Sequence, residues 1–265
     1  MKILVLTKYS LDVTEVKVDA ATKELRLTGV PEKIGNVDKN AVEAAIQLRE
    51  SAGGTIQALC LGPSAARDGF RDVLAMGVDE AVLVEDPFHG QADGQTAVQI
   101  LEAAIRKLGP FDLILCGFAS DDGYTYQVAP RLAERLELPL VSYARKLVLT
   151  DGKLVADRDL DDYQQTVEAA LPVVVSIAEE AFPPRRTTLM DALNGKKKPV
   201  NVWNMAEQLE LNPDELRQAS FVEAASQVGI VVHRKQKILT GQDQAALADA
   251  LIDLLLQEKI FQGGA

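Results

Sequence analysis

Short apolar runs alternate with amphipathic segments through the first 140 residues of this chain, and that order restricts the fold more than any other feature. The apolar runs at residues 2–7, 55–61, 81–84 and 111–116 have the length of strands, and each is followed by a segment in which apolar residues recur at helical spacing. Strands that alternate with helices pair in parallel, because the chain returns through a helix before it starts the next strand. The sequence therefore predicts an α/β fold, a Rossmann-like parallel sheet with flanking helices.

After Pro139 the pattern changes to short strands joined by tight turns. A continuous apolar run at residues 171–177 has the composition of a buried strand and is expected to return to the main sheet. Short strands are predicted at residues 16–18, 24–27, 147–150, 153–157 and 165–169. We expect these strands to form small β-hairpin additions to the parallel sheet.

The distribution of apolar residues divides the chain into three parts. Residues 1–181 carry the alternating pattern and form the predicted α/β domain, residues 182–199 form a loop, and residues 200–265 form a C-terminal arm that ends in a helix. The final helix, at residues 242–261, has leucines at helical spacing over a larger area than a solvated helix needs. We expect this helix to pack on a partner protein, and packing on its own domain is the alternative.

Composition argues against several classes of function. A net charge of −11 disfavours nucleic acid as a partner, because binding to a phosphate backbone needs concentrated cationic surface. Cys60 and Cys116 fall inside apolar runs and the two histidines are scattered, so neither a disulfide nor a metal site is predicted. No nucleophile or acid–base pair emerges as a catalytic site. The first apolar run is too short for a signal peptide and no run reaches membrane-spanning length, so a cytoplasmic protein without membrane insertion is expected.

The loop after the fourth apolar run is the best candidate for a ligand site. The run ends at Gly117, a polar stretch with Ser, Asp and Thr follows, and an amphipathic segment begins at Gln127. That order places the loop at the carboxyl end of a strand, where open α/β sheets bind ligands. Helix-start amides beside hydroxyl and carboxylate side chains suit a ribose or a phosphate group. An ordinary turn that uses Asp and Gly for backbone reasons is the alternative, and the loop alone leaves both open.

Several short motifs occur in a specific order along the chain. They are NVDKNA at residues 36–41, LGP at 61–63, LAMGVD at 74–79, CG at 116–117 with DG at 122–123 and QV at 127–128, LPVVVS at 171–176, PR at 184–185 and KKKP at 196–199. In order and spacing, and nearly from end to end, the sequence resembles the β subunit of electron transfer flavoproteins, particularly its FixA-like branch. Two departures are Tyr163, where the family commonly has an acidic residue or Gly, and Arg186, where it usually has an aromatic residue.

This resemblance implies a heterodimer with an α subunit that carries a redox-active FAD on a mobile domain. In many members the β subunit holds AMP in a structural role. In electron-bifurcating members the same pocket holds a second FAD, which takes a hydride from NADH. One electron then goes to the α-subunit flavin and the other to a low-potential acceptor such as ferredoxin. Other implied partners are a dehydrogenase or a quinone oxidoreductase, and oxidoreductase activity is expected only if the second FAD is present.

The resemblance also places the nucleotide pocket at the strand ends and in the loops that follow them. The implied pocket residues are Leu6, Thr7, Lys8, Asn36, Asp38, Leu61, Gly62, Gly117, Asp122, Gly123, Thr125 and Gln127. These residues come from strand ends that a parallel sheet brings to one edge, which is where the loop after the fourth apolar run is also expected to lie.

Residues 90–97 bear on the choice between AMP and FAD. They resemble the Gly-x-x-Asp-x-x-Thr pattern of bifurcating members. A small residue at Gly90 leaves room for a longer dinucleotide, and Asp93 and Thr96 at a helix start offer donors for its pyrophosphate. A plain helix cap by Asp93 or Thr96 is the alternative. We favour FAD, with AMP as the alternative nucleotide.

The segment after Pro184 and Arg185 corresponds to the family's recognition loop, which anchors partner dehydrogenases through an exposed Leu. Leu189 falls at that position and Met190 lies beside it. An exposed apolar side chain on a short helical turn makes a suitable docking residue. The alternative is that Leu189 folds back on its own domain. The lysines at residues 196–198 either steer acidic partners or form a solvated run of charge.

Two other functions fit an α/β sheet of this kind. One is a stand-alone nucleotide sensor of the universal-stress type, which would have no use for the additional apolar helix of the arm. The other is a nucleotide-processing hydrolase, which is disfavoured because the chain lacks the Gly-rich phosphate motif with its paired Lys and Ser. The resemblance thus implies an electron carrier that transfers electrons rather than making bonds at side chains.

Overall fold

The structure is a computed structural model, and it describes residues 1–19, 21–86, 88, 92–219 and 236–260. The chain forms two compact units. The larger unit comprises Met1–Lys17 and Leu25–Gln227, and the smaller unit comprises Val18–Glu24 and Val228–Ala265.

The secondary structure follows the predicted alternation. In chain order the described strands are β1 (Lys2–Thr7), β2 (Tyr9–Leu11), β3 (Lys17–Val18), β4 (Leu25–Arg26), β5 (Glu32–Ile34), β6 (Thr55–Gly62), β7 (Glu80–Glu85), β8 (Leu113–Gly117), β9 (Leu140–Thr150), β10 (Lys153–Asp159), β11 (Gln164–Ala170), β12 (Val173–Ile177) and β13 (Val200–Trp203). The described helices are α1 (Asn36–Ala52), α2 (Ala66–Met76), α3 (Gly94–Leu108), α4 (Val128–Leu136), α5 (Leu189–Gly195), α6 (Met205–Leu209), α7 (Pro213–Ala219) and α8 (Gln244–Gln257), with a 3₁₀ turn at Val13–Glu15.

A nine-stranded sheet forms the centre of the larger unit, in the order β11-β10-β9-β12-β8-β1-β6-β7-β13. The strands from β9 through β12, β8, β1, β6 and β7 to β13 pair in parallel, and β9, β10 and β11 pair in antiparallel fashion. The chain moves outward from β1 through β6 and β7, and then returns to the other side of β1 as β8. Strand order therefore reverses between β1 and β8, which is the topological switch point of a doubly wound sheet. This arrangement confirms the predicted Rossmann-like fold.

Helices cover both faces of the sheet, so its central strands are apolar on both sides. In β1, Ile3 and Val5 belong to the core under α1 and α2, whereas Leu4 and Leu6 belong to the core under α3 and α4. This division follows from the two-residue period of a strand, which sends successive side chains to opposite faces. Helix α1 packs on β1, β8, β9 and β12 and thereby lies across the switch point.

The larger unit extends past the predicted domain boundary at residue 200. Strand β13 pairs in parallel with β7, and Met205 and Leu209 of α6 are buried in the core beside α3. Residues 200–209 therefore belong to the α/β unit rather than to a separate arm. The sequence gives little sign of this, because a four-residue edge strand with half-exposed side chains has no clear apolar pattern.

The described part of the smaller unit contains α8, which includes no buried residue. Leu251, Ile252 and Leu256 are exposed on this helix. Packing of α8 on a partner stays a prediction. Among the described helices, none is both long and apolar enough to cross a membrane.

Both cysteines lie in the core, inside the apolar runs in which the sequence places them. Cys60 and Cys116 are free and buried, as predicted. Burial raises the pKa of each thiol to about 12, so both stay protonated and unreactive at neutral pH. Within the described ranges no cluster of three or more His, Cys, Asp or Glu residues could hold a metal ion.

Gly54 should be the less replaceable of the two glycines that precede β6. Its φ is +122°, and a Cβ built there would lie 2.0 Å from the carbonyl oxygen of Met1. Gly53 also has a positive φ, of +73°, but nothing lies within 4 Å of its Cβ position. We expect Gly54→Ala to lower the free energy of unfolding by about 1–3 kcal/mol more than Gly53→Ala, because it adds a clash with the backbone of Met1 to the backbone strain. Urea unfolding of both variants measures this difference, and equal losses would contradict it.

Candidate functional site

The switch point opens at the carboxyl ends of β1 and β8. We call the region formed by Lys8, the start of α1 at residues 35–38 and the loop at residues 117–127 the switch crevice. Each of its parts follows directly from a strand or begins a helix, so the parallel pairing of β1 and β8 fixes their relative positions. The predicted pocket residues Lys8, Asn36, Asp38, Gly117 and Asp122 all lie in this crevice.

Asp38 is buried in the first turn of α1. The backbone N–H of Lys8 donates to Asp38 Oδ2 at 2.7 Å, which ties the end of β1 to α1. Burial raises the pKa of Asp38 to about 8, although the hydrogen bond from Lys8 works in the opposite direction. The carboxyl group is therefore protonated and uncharged at neutral pH.

Gly117 allows α1 to approach the end of β8. A Cβ at this position would lie 2.6 Å from Val37 Cγ1 and 3.1 Å from Asp38 Oδ1. Any larger residue would push the start of α1 away from the sheet. The glycine that ends the fourth apolar run in the sequence thus has a packing role at the crevice.

Asp121, which lies outside α1, caps the N-terminus of this helix. The N-cap residue is Gly35, which has no side chain to bind the first amides. Instead the backbone N–H of Asn36 donates to Asp121 Oδ2 at 2.8 Å, and that of Val37 donates to Asp121 Oδ1 at 3.4 Å. A carboxylate from the β8 loop therefore occupies the positive end of the α1 dipole.

Asp122 pairs with the side chain of Lys8. The ammonium group of Lys8 lies 2.8 Å from both Oδ1 and Oδ2 of Asp122. Desolvation opposes ionisation of this carboxyl group, but the hydrogen bonds and charge of Lys8 outweigh it, so the pKa of Asp122 lies below its ordinary value. The salt bridge spans the crevice from β1 to the loop after β8.

The starts of α3 and α4 lie next to each other at the other end of the loop. A Cβ on Gly94, the first residue of α3, would lie 3.0 Å from Gln127 Oε1, which precedes α4. The side chains of Thr125 and Gln127 are exposed, and Gln127 makes no side-chain cap. Among the described residues, none accepts a hydrogen bond from the backbone N–H of Val128 or of Ala129.

Asp93 and Thr96 form a helix cap at the start of α3. The carboxylate of Asp93 accepts from the backbone N–H of Thr96 at 2.7 Å. Thr96 is 1% exposed, so its side chain has no surface to offer a ligand. This is the plain cap that the sequence left open as an alternative, and a donor role of this helix start toward a pyrophosphate stays a prediction. Gly90 and His89 lie outside the described residues.

The remaining predicted pocket residues lie near the crevice without entering it through their side chains. Leu6 is buried in the core, and Thr7 Oγ1 donates to the carbonyl of Leu59 at 3.5 Å. Leu61 is half-buried and Gly62 is buried at the end of β6, on the opposite side of β1 from β8.

An aromatic cluster joins the 117–127 loop to β9, and the sequence did not predict it. The ring of Phe118 lies 5.5 Å from those of Tyr124 and Tyr126 and 5.7 Å from that of Tyr143. The hydroxyl of Tyr124 donates to Glu179 Oε2 at 3.2 Å. Tyr124, Tyr126 and Tyr143 all have positive φ values. Four aromatic residues spread over 26 positions give no periodic signal, so only the fold reveals the cluster.

The predicted recognition loop projects Leu189 into solvent. Leu189 is 78% exposed and Met190 is 63% exposed at the start of α5. Thr188 and Asp191 form a capping box there, with Asp191 N–H donating to Thr188 Oγ1 at 3.2 Å and Thr188 N–H donating to Asp191 Oδ2 at 2.8 Å. The alternative in which Leu189 folds back on its own domain does not occur.

Two basic residues hold this loop on the domain. Arg185 donates to Glu43 and Glu50 of α1, with its Nε 2.8 Å from Glu43 Oε2. The ammonium of Lys198 donates to the carbonyl oxygens of Leu74 at 2.9 Å and Val78 at 2.6 Å. Lys198 is therefore a structural cap at the end of α2 and not a member of a solvated run of charge.

Comparison with known proteins agrees with the fold and with the motifs. A family described as the electron transfer flavoprotein domain matches residues 24–208. The chain is 39% identical over 217 residues, 82% of its length and 83% of the relative's, to the electron transfer flavoprotein subunit beta of Thermoanaerobacterium thermosaccharolyticum. It is 34% identical over 215 residues, 81% of its length and 82% of the relative's, to the caffeyl-CoA reductase-Etf complex subunit CarD of Acetobacterium woodii. These matches confirm the resemblance predicted from the motifs.

The buried carboxyl group of Asp38 should make stability depend on pH. In the unfolded chain it ionises near its ordinary pKa of 3.8, whereas in the folded chain it stays protonated up to about 8. The folded state therefore binds more protons between these values, and its stability falls as pH rises, by up to about 1.4 kcal/mol per pH unit. Asp38→Asn keeps an oxygen for the Lys8 amide and removes the titration.

We expect the free energy of unfolding of the wild-type protein to fall by about 2 kcal/mol more than that of Asp38→Asn between pH 5 and pH 7. Urea unfolding at both pH values measures the two differences. Parallel pH dependence of the two proteins would contradict the assignment of a protonated Asp38.

Proposed function

The chain belongs to the electron transfer flavoprotein β-subunit family, and on that premise we propose that its switch crevice holds an adenine nucleotide, FAD in preference to AMP. The protein is then one half of a heterodimer with an α subunit that carries a further FAD. The observation that carries this proposal is the meeting of Lys8, Asp38 and the 117–127 loop at the switch point, where doubly wound sheets bind nucleotides.

The groups around the crevice fit an adenine nucleotide. The end of β1, beside the 117–127 loop, offers a surface on which an adenosine can lie. Asp38 is uncharged at neutral pH and does not repel it. The amides of Val128 and Ala129, with the hydroxyl of Thr125, offer donors for a phosphate at the start of α4.

The contact between α3 and α4 favours FAD over AMP. Gly94 and Gln127 touch, so two helix starts face the same region. Asp93 already satisfies the amide of Thr96 in α3, but the start of α3 adds further backbone amides beside those of α4, and a pyrophosphate can use more donors than a single phosphate. The relative from Acetobacterium woodii belongs to a complex with a reductase, which is also consistent with a subunit active in a redox assembly. AMP in a structural role is the alternative.

When bound, FAD supplies the hydride and one-electron chemistry that NADH-dependent electron bifurcation to a low-potential acceptor such as ferredoxin requires. The residues of this chain bind and orient the nucleotide and keep charge low beside the sheet edge. With AMP in the crevice, electrons pass only through the FAD of the α subunit.

The exposed stripe of α8 favours a heterodimer over a stand-alone nucleotide sensor. Leu251, Ile252 and Leu256 are uncovered, and an apolar face of this kind indicates a protein contact. We therefore assign α8 to the contact with the α subunit. Leu189 and Met190, on a fixed turn of the larger unit, are assigned to a different partner, a dehydrogenase or a quinone oxidoreductase.

Identification of the bound nucleotides tests the proposal. The chain is co-expressed with its α subunit, the purified heterodimer is denatured, and the released nucleotides are separated and quantified. We expect two FAD molecules per heterodimer. One FAD and one AMP would select the alternative nucleotide, and one FAD with no second adenine nucleotide would overturn the proposed role of the crevice.

Leu189 should contribute to partner binding and not to nucleotide binding. We expect Leu189→Ala to raise the apparent KM for the partner dehydrogenase at least about tenfold, because truncation of a central apolar docking residue costs 1.4 kcal/mol or more. The kcat and the nucleotide content should stay unchanged. Leu193→Ala, on the same helix and also exposed, is the matched control. An equal effect of both variants, or none of Leu189→Ala, would contradict this assignment.

A further inference from the structure

Two groups in the switch crevice could bind a phosphate, and the protein fills both with its own carboxylates. One is the N-terminus of α1, whose first amides donate to Asp121, and the other is the ammonium of Lys8, which is paired with Asp122. The two aspartates are adjacent in the same loop. The phosphates of a nucleotide in the crevice therefore meet carboxylates at the two places where the N-terminus of α1 and the ammonium of Lys8 would otherwise attract them.

We propose that Asp121 and Asp122 determine how a nucleotide lies in the crevice, by excluding its phosphates from the β1 side and confining them to the start of α4. The uncharged adenosine part then lies on the β1 side. This inference rests on the proposed nucleotide binding and adds the residues that set its orientation.

The carboxylate of Asp121 occupies the place at the N-terminus of α1 where an anion would otherwise bind. Helix α1 is 17 residues long and Gly35 provides no cap, so its N-terminus carries the partial positive charge and open amides that attract phosphate. A Cβ on Gly35 would lie only 3.2 Å from Asp121 Oδ2, so the carboxylate fills the space beside that glycine as well. Both of its oxygens are used by α1 amides.

Asp122 removes the attraction of the Lys8 ammonium group for a phosphate. Its two oxygens share the ammonium of Lys8 at 2.8 Å each, which neutralises that cation. With Asp38 protonated, the charges of Lys8, Asp121 and Asp122 leave this side of the crevice with one net negative charge. A phosphate placed there would be repelled.

The far end of the loop has the opposite character. Helix α4 has no acidic residue at its N-cap or in its first turn, whereas Asp93 caps α3, and the side chains beside α4 are the neutral Thr125 and Gln127. The amides of Val128 and Ala129 make no hydrogen bond to any described residue. One end of the loop thus carries the carboxylates of Asp121 and Asp122, and the other end offers the backbone N–H groups of Val128 and Ala129. A bound nucleotide can therefore place its phosphates at only one end.

Ring packing keeps the aspartates in place. Tyr124 packs edge-on against Phe118 and Tyr126, and its hydroxyl donates to Glu179 on the segment after β12. The residues that follow Asp122 are therefore anchored to a second part of the domain. This anchoring makes the carboxylates a fixed property of the crevice.

Substitution of both aspartates by Asn tests the proposal in the heterodimer. Asn keeps a side-chain oxygen that can cap α1, so the variant Asp121→Asn/Asp122→Asn removes charge while retaining the hydrogen bonds. The control is Asp68→Asn, which frees the cation of Arg71 on α2 in the same way that Asp122→Asn frees Lys8. Competition against the resident nucleotide gives the affinities of adenosine and AMP for each protein.

We expect the ratio of AMP affinity to adenosine affinity to rise at least about tenfold in the double variant, with adenosine affinity within about twofold of wild type, since phosphate gains a second binding position. Asp68→Asn should leave the ratio unchanged. An unchanged ratio in the double variant, an equal rise in Asp68→Asn, or a parallel loss of adenosine and AMP affinity would overturn the proposal.

Inorganic phosphate provides a readout that does not depend on nucleotide binding. At constant ionic strength, replacing chloride with phosphate should raise the Tm of the double variant and leave that of the wild-type heterodimer unchanged. The absence of a phosphate-specific rise in the double variant would overturn the claim that the carboxylates block anions. A wild-type heterodimer that binds neither adenosine nor AMP would instead contradict the proposed function.

Discussion

The parallel pairing of β8 with β1 is the constraint on which the rest of this structure depends. Because the chain reaches β8 only after it has built β6 and β7 on the other side of β1, the loop after β8 and the helix after β1 meet at one sheet edge. Helix α1 approaches β8 closely only because residue 117 is a glycine. A change that displaced α1 from the end of β8 would separate Lys8 and Asp38 from the 117–127 loop, and the crevice would be lost.

The two ends of the crevice then differ in charge. The start of α1 is closed by Asp121 and Lys8 is neutralised by Asp122, whereas the start of α4 keeps amides without a partner among the described residues. Helix dipoles alone would make the two ends equivalent, since both present an N-terminus. The difference comes from two neighbouring carboxylates in one loop, and it separates an adenosine side from a phosphate side in the proposed complex.

The sequence predicted the parts of the structure that depend on local patterns. The alternation of apolar runs with amphipathic segments predicted the doubly wound sheet, and the family resemblance placed Leu189 on an exposed turn. Strand β13 was not predicted, because an edge strand with half-exposed residues needs no apolar alternation. Asp121 was also missed as the cap of α1, since a contact between residues 85 positions apart leaves no local pattern. The sequence could not distinguish a cap from a ligand site at Asp93 and Thr96, because both use the same residue types at a helix start.

Amide hydrogen exchange in the heterodimer, with and without its crevice nucleotide, tests the central claim most directly. If the phosphates bind at the start of α4, the amides of Val128 and Ala129 exchange more slowly when the nucleotide is present, and those of Asn36 and Val37 are equally protected in both states. Exchange at the start of α4 that is the same in both states, or nucleotide-dependent protection at Asn36 and Val37 instead, would contradict the account.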